Sequence, residues 1–335
     1  MFLAGCVSQS GFESDARRSG NARDDAADRP AGRDPLGARR GRGYHLPGLM
    51  TGQVLTIHGI APAVIPNAFC FRNMWDTDAM LRYLTSVPPF VSLGDAMAGR
   101  GDALTIDDAI RGAADAALLA RQRGHAVTLF VNPSQVESGA PYAFLVLNAL
   151  LDGLTRRVCI FEDTAFRIGT HAKRQVLRRR IKARLCALTD EQARLDFVTG
   201  LAGQWGVTVP DMPPHFRTLS RDELVALRDA GVALENHGWS HSDHTSLSSA
   251  QSVREIRDGR VWLERELGVE AAYFAAPYGE ALPTPEAAGA CTMWFAASEV
   301  LPAGRLSPHV FNRRFLNPPA SAGAHLVVSE RHSTG

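Results

Sequence analysis

Cysteine is scarce in this chain of 335 residues. Cys6, Cys70, Cys159, Cys186 and Cys291 are odd in number, scattered, and show no Cys-x-x-Cys spacing. That pattern argues against a disulfide framework and against a thiolate zinc site, so any metal must be held by histidine and carboxylate. Long apolar runs are missing too: no stretch reaches the about 18 residues that a spanning helix needs. Excess charge of one sign is likewise absent, because 36 Lys and Arg face 35 Asp and Glu for a net charge of +1. No overall field therefore points to nucleic acid or an acidic membrane as partner. Self-similarity at the periods of about 20 to 50 residues that mark solenoids and propellers is not found either. Nothing points to a particular oligomeric state.

The first 48 residues lack large apolar side chains over most of their length, with Ala16 to Gly43 rich in Arg, Asp, Gly and Ala. Such a segment cannot bury enough surface to offset its ordering entropy and is expected to be disordered. Met50, directly ahead of the first strand-like run, is an alternative translational start. Leu3-Ala4-Gly5-Cys6 has the look of a lipoprotein cleavage box, but only two residues precede it. Without a basic start or an apolar segment for export, the expected location is the cytoplasm.

What is present is ordinary globular composition, 45% hydrophobic and 21% charged, with organised patterning from Val54 onward. Short apolar runs alternate with segments of helical period, which predicts an α/β architecture. The expected strands are Val54 to His58, Ala103 to Ile106, Ala126 to Val131, Val232 to Leu234, Ala272 to Ala275 and Trp294 to Ala297. Helices are expected over Ile110 to Arg123, over Arg221 to Ala230 with Ser220 and Glu223 as capping box and Gly231 as stop, and over Val253 to Leu267 with Ser252 and Glu255 as capping box. Residues 142–210 interrupt the alternation with almost purely helical signals and are read as an insertion into one domain of residues 49–335. The basic run Lys173 to Arg184 within it is read as a solvated helix face.

Chemistry-bearing residues gather at three places, each just after an expected strand. In Leu104-Thr105-Ile106-Asp107-Asp108-Ala109 a strand ends in two carboxylates that point in different directions, so one can bind a cation while the other faces a substrate water. Asp often caps a following helix, and this pair alone does not decide between the two roles. Next, Glu235 to His244 holds His237, His241 and His244. His237 and His241 converge if the segment turns helically, and Gly238 permits other tight turns. Imidazole with carboxylate is a common zinc set that leaves positions open for water and substrate. His244 is read as a spare surface histidine. Third, Phe274-Ala275-Ala276-Pro277-Tyr278-Gly279 is a strand broken by a turn in which Gly279 allows close approach of backbone to ligand.

Taken together and in this order, Thr-Ile-Asp-Asp, His-Gly-Trp-Ser-His and Ala-Ala-Pro-Tyr-Gly resemble the leading motifs of the polysaccharide deacetylases, carbohydrate esterase family 4 with the NodB homology domain. The resemblance covers roughly Val54 to Leu316, and Leu55-Thr56-Ile57-His58 is similar to the family's first strand. It implies an irregular, incomplete (β/α) barrel with its site at the carboxyl ends of the strands. By position it implies that Asp107 is the catalytic base, that Asp108, His237 and His241 hold a divalent metal, most plausibly Zn2+, and that the backbone N–H of Tyr278 helps hold the oxyanion. A carbohydrate substrate follows from the same resemblance. So does hydrolysis of an N-acetyl or O-acetyl group; another carbon–nitrogen amide hydrolase, such as a deformylase or cyclic-amide hydrolase, and a carbohydrate-binding homologue without turnover are the alternatives.

Two departures from the family pattern bear on chemistry. Ala109 stands where glycine is usual, and Ala275 replaces the arginine that orients the base. Without a cationic neighbour the pKa of Asp107 is expected to lie higher, unless Arg313 or Arg314 reaches in. The late Leu-x-His motif that supplies a general acid has no clear counterpart; His58, His309 and His325 are the candidates.

Overall fold

The computed structural model describes residues 52–317, so Cys6, Met50, His325 and the expectation of a disordered start lie outside the described residues. The main sheet has nine strands in the order Gly304–Ser307, Val310–Asn312, Met293–Ala296, Tyr273–Ala275, Ala233–Asn236, Val127–Val131, Ala103–Asp107, Val54–Ile57 and Arg314–Phe315. Every neighbouring pair is parallel except Gly304–Ser307 with Val310–Asn312. Arg313 alone separates Val310–Asn312, which pairs with Met293–Ala296, from Arg314–Phe315, which pairs with Val54–Ile57. One continuous stretch of chain therefore joins both ends of the parallel sheet and closes an irregular (β/α) barrel, as the family pattern implies.

Side chains alternate across each strand. Val54, Ala103, Phe130, Ala275, Met293, Phe295 and Phe311 form one buried cluster, while Ile57, Leu104, Ile106, Leu129, Val131 and Leu234 join the cluster that includes helix Arg111–Gln122. Continuing in steps of two from Ala103 and Phe311, alternation carries Thr105, Asp107 and Arg313 toward the same side as the first cluster, and each is fully or nearly fully buried. Polar groups thus sit at the carboxyl end of a barrel whose other end is filled with aromatic and aliphatic side chains.

Helix Arg221–Asp229 carries the expected Ser220 and Glu223 capping box, and Gly231 follows at φ +83°. Helix Ser249–Leu267 starts a turn earlier than expected, capped by Ser248 with Gln251 rather than by Ser252 with Glu255. Tertiary partners take the expected pair: Ser252 Oγ lies 2.6 Å from His244 Nδ1, and Glu255 accepts from Ser240. Helices Ala143–Gly153, His171–Cys186 and Glu191–Gln204 share a separate buried cluster with Leu177, Ile181, Val198 and Trp205. This segment is not purely helical, because Val158–Phe161 and Thr164–Arg167 form an antiparallel hairpin turned by Glu162 and Asp163 at positive φ.

Candidate metal centre and catalytic pocket

Asp107 closes strand Ala103–Asp107, and Arg313 grips it with both arms of its guanidinium. Nη1 donates to Oδ1 at 2.7 Å and Nη2 to Oδ2 at 2.8 Å, with Nη1 also 3.1 Å from Thr105 Oγ1 and 3.3 Å from Thr56 Oγ1. The same guanidinium lies over the Phe130 ring. Of the two expected arginines it is Arg313 that enters, because the strand's alternation turns it inward and leaves Arg314 exposed. Burial by itself would raise the Asp107 pKa, but Arg313, with His237 and His58, outweighs it and holds the carboxyl well below the usual carboxylate range. Ala275, in the place where the family carries its arginine, offers only a methyl group.

The chain then turns sharply. Asp108 adopts φ +71°, which aims its carboxylate away from that of Asp107. His237 follows strand Ala233–Asn236, and His241 sits four residues on at φ +54°, so the two rings converge through left-handed turns at Gly238 and His241 rather than through a helix. One ligand atom from each of Asp108, His237 and His241 lies within 4.8 Å of the others, all three residues being buried. Backbone strain concentrates here: of the seven non-glycine residues with positive φ among the described residues, Asp108, His241 and Tyr278 belong to this site. Conformations of this kind are costly and cluster where function demands a side-chain direction.

The donor set fits a divalent cation. His237 Nδ1 lies 2.8 Å from the Ala275 carbonyl and must donate to it, which leaves the Nε2 lone pair directed at Asp108, 3.6 Å away. His241 Nε2 is 3.2 Å from Asp108 Oδ1, yet the pair lacks hydrogen-bond geometry and Oδ1 is buried without a partner. Burial pushes the His237 pKa down to about 4, so at neutral pH its ring is uncharged and able to donate a lone pair. Two imidazole lone pairs and an orphaned carboxylate oxygen around one point are the chemistry of a metal shell.

Several residues that the sequence reading missed hold this geometry. Asn132, just past strand Val127–Val131, donates to the carbonyls of His237 and Gly238 and accepts from Tyr142 Oη, which in turn accepts from the Ala109 N–H at 2.8 Å. That chain of bonds ties the aspartate turn to the histidine loop. Asn236 accepts from Gly238 N, and Glu255 accepts from both N and Oγ of Ser240. Arg194 of the insertion, fully buried, donates to Glu191, to the Ser240 carbonyl at 2.7 Å and to Ser242 Oγ at 2.7 Å. His244 is not a surface residue: it is buried against Phe274 and Trp294. The polar position after a strand was the one available signal for Asn132; Tyr142 and Arg194 gave none, since their partners lie in other segments.

Asp107, Asp108, His237, His241 and Tyr278 line a cavity of about 660 Å³. Tyr278, at φ +63°, packs its ring 4.9 Å from that of His241, and Gly279 beside it is held so close to Ala297 that a Cβ would stand 2.9 Å from the alanine methyl. Of the general-acid candidates, His58 lines the cavity with Nδ1 buried and unpartnered, whereas His309 is exposed and His325 lies outside the described residues. The basic run does not behave as a uniformly solvated face, because Arg178 and Lys182 line the same cavity.

Comparisons with known proteins agree with this picture. The family model described as polysaccharide deacetylase matches residues 98–291, a span that contains Asp107, Asp108, His237, His241 and Tyr278 and ends before Arg313. The deacetylase PplD of Streptococcus pyogenes, solved in complex with acetate, is similar in fold at a TM-score of 0.50 and 12% identity, covering 81% of this chain and 94% of its own. IcaB from Ammonifex degensii reaches 0.46 at 16% identity over 80% and 92%, and the deacetylase domain of BpsB from Bordetella bronchiseptica 0.44 at 13% over 80% and 96%. At such identities the likeness concerns the fold alone. No curated protein matches the sequence.

Proposed function

Because this chain belongs to the polysaccharide deacetylase family, hydrolases of non-peptide carbon–nitrogen bonds, we propose that it is a zinc-dependent enzyme that removes N-acetyl or O-acetyl groups from a carbohydrate. The observation that carries this reading is the buried convergence of Asp108, His237 and His241 beside an Asp107 carboxylate clamped by Arg313, at the floor of an open cavity. Asp108, His237 and His241 are the residues that would hold the cation. When bound, it supplies Lewis acidity that polarises the acyl carbonyl and makes water easier to deprotonate.

The remaining work falls to the chain. Asp107 is the base: Arg313 keeps it ionised and fixed, and each carboxylate oxygen retains a second lone pair with which to take the proton of the attacking water. The Tyr278 turn presents a backbone N–H toward the developing oxyanion, a donor whose direction the Gly279 contact with Ala297 fixes. His58, which lines the cavity, is the residue we assign to protonate the departing amine.

Acetate release from a panel of N-acetylated sugars and oligosaccharides tests the proposal, using metal-stripped protein refilled with zinc beside Asp107→Ala and His241→Ala. Zinc-dependent release lost in both variants is the expected result. Tight zinc binding with no release from any sugar would reject the activity in favour of another amide substrate or a binding role.

A further inference from the structure

In helix His171–Cys186, Lys173 and Arg179 are exposed, and the other five Lys and Arg residues divide into three groups. Arg174 donates to the carbonyls of Leu151, Asp152 and Leu154 and so finishes the C-terminal end of helix Ala143–Gly153. Arg180 and Arg184 pair with Glu162 at 2.9 and 3.2 Å on the outer surface. Arg178 and Lys182 remain, one helical turn apart and therefore on one face, and both look into the cavity that holds the candidate metal centre. Leu177, Ile181 and Leu185 are fully buried and fix the helix in that orientation.

Neither of these two cations has a salt-bridge partner among the described residues, and neither has Arg72, which lines the cavity beside them. Arg178 Nε donates to Asn148 Oδ1 at 2.7 Å and its guanidinium lies over the Phe69 ring, leaving the Nη groups without a hydrogen bond among the described residues. Lys182 Nζ stands 4.3 Å from the centre of the Tyr278 ring, which also packs against His241 and Phe144. Of the nearby carboxylates, Asp152 accepts from the N–H groups of Phe69 and Cys70 and Asp243 from Thr245, while Glu280, exposed at the cavity lining, raises the pKa of Lys182 through space without a salt bridge to it among the described residues. Burial lowers the pKa of both Arg178 and Lys182, with repulsion from Arg72 adding to it at Arg178 and repulsion from Arg178 adding to it at Lys182. Half-buried cations that repel one another and lack a counter-ion are costly on their own, and an arriving oxyanion removes that cost.

We propose that Arg178 and Lys182, with Arg72 at the cavity mouth, form an oxyanion subsite, so that the substrate is an acetylated sugar that also carries a carboxylate or phosphate ester. This rests on the deacetylase reading above and narrows its substrate class. Lys182 and His241 both contact the Tyr278 ring, so the subsite adjoins the candidate metal centre.

The test compares N-acetylglucosamine, N-acetylmuramic acid and N-acetylglucosamine 6-phosphate, by calorimetric binding to the zinc-loaded protein and by kcat and KM for acetate release. We expect the anionic sugars to bind at least about ten-fold more tightly than the neutral one, a preference expressed in KM. Arg178→Gln and Lys182→Met should each remove most of that preference, Arg178→Lys should retain part of it, and Arg180→Gln, whose side chain pairs with Glu162 outside the cavity, should change neither preference nor turnover. Equal binding of all three sugars, or a preference that survives in both Arg178→Gln and Lys182→Met, overturns the subsite. Selective anion binding without acetate release from any sugar supports the subsite while rejecting the deacetylase reading, so the two stand or fall separately.

Discussion

Replacing Arg313 by methionine removes the sole bidentate partner that the described residues give Asp107. The guanidinium is fully buried, and its bonds of 2.7 and 2.8 Å to the two carboxylate oxygens are charge-assisted. Once it is gone, Asp107 either stays ionised in a dry site, at the cost of about 3–5 kcal/mol that breaking a buried pair carries, or takes up a proton. An opposite charge at this range lowers a carboxyl pKa by about 1–3 units, and its loss leaves burial to push the group upward. The sign of the pH dependence then reverses. In the wild type the Asp107 pKa is depressed, so its stabilisation is present above about pH 4 and lost as pH falls below that. In Arg313→Met the folded-state pKa lies above the unfolded one, so destabilisation is least in acid and grows as pH rises toward neutrality. Urea unfolding at pH 5 and pH 7 should show a loss of about 3 kcal/mol at pH 7, or about 5 °C in Tm, and a smaller loss at pH 5. In acetate release, the acidic limb of kcat/KM should move up by about 1–3 units. Arg313→Lys keeps the charge without the planar fork and should recover stability more fully than turnover. An Arg313→Met protein with the wild-type acidic limb and within about 1 kcal/mol of wild-type stability at pH 7 would refute the reasoning.

Two further substitutions probe the supports of the histidine loop. Arg194→Met removes donors to the Ser240 carbonyl and to Ser242, and zinc affinity measured by chelator competition should fall about 10–100-fold with helix content unchanged. Unaltered affinity would mean that the insertion does not position His241. His244, pushed down to about 3 by burial, refuses in the folded state a proton that the unfolded chain accepts near 6.5. Its contribution is therefore complete above pH 6.5 and drains away as pH falls toward 3, so His244→Gln should flatten the acid decline of the urea midpoint, whereas a curve parallel to the wild type would count against it.

Much of the site was legible because its residues are the chemical punctuation of strands. Asp107 and Asp108, His237 and His241, and the Pro277-Tyr278-Gly279 turn each break an apolar run where a packed strand could not end so polar without reason. The partner of Asp107 was only half legible: the need for a cation followed from Ala275, but the choice between Arg313 and Arg314 depends on which way a two-residue period points once the barrel has closed. Helix Ser249–Leu267 contains two overlapping frames, Ser248 with Gln251 and Ser252 with Glu255, and local spacing does not tell which caps and which is drawn into the loop. The hairpin Val158–Arg167 escaped notice because its strands are only four residues long and the first, Val-Cys-Ile-Phe, is apolar on its exposed face as well as its buried one, so no polar alternation marks it.

The stretch Val310–Phe315 has a meaning for how the protein comes into being. Asp107 and Arg313 are 206 residues apart, and the residue that clamps the carboxylate is the one at which the last strand changes partners. A growing chain synthesised through Tyr278 already contains Asp108, His237 and His241, the three residues proposed to hold the cation. It does not yet possess an aligned base, which arrives only when the final strand slots between Met293–Ala296 and Val54–Ile57. On the proposed reading, the cation ligands are thus complete in the chain before the clamp on Asp107 is, and the two come together only when the last strand has been made and folded into the sheet.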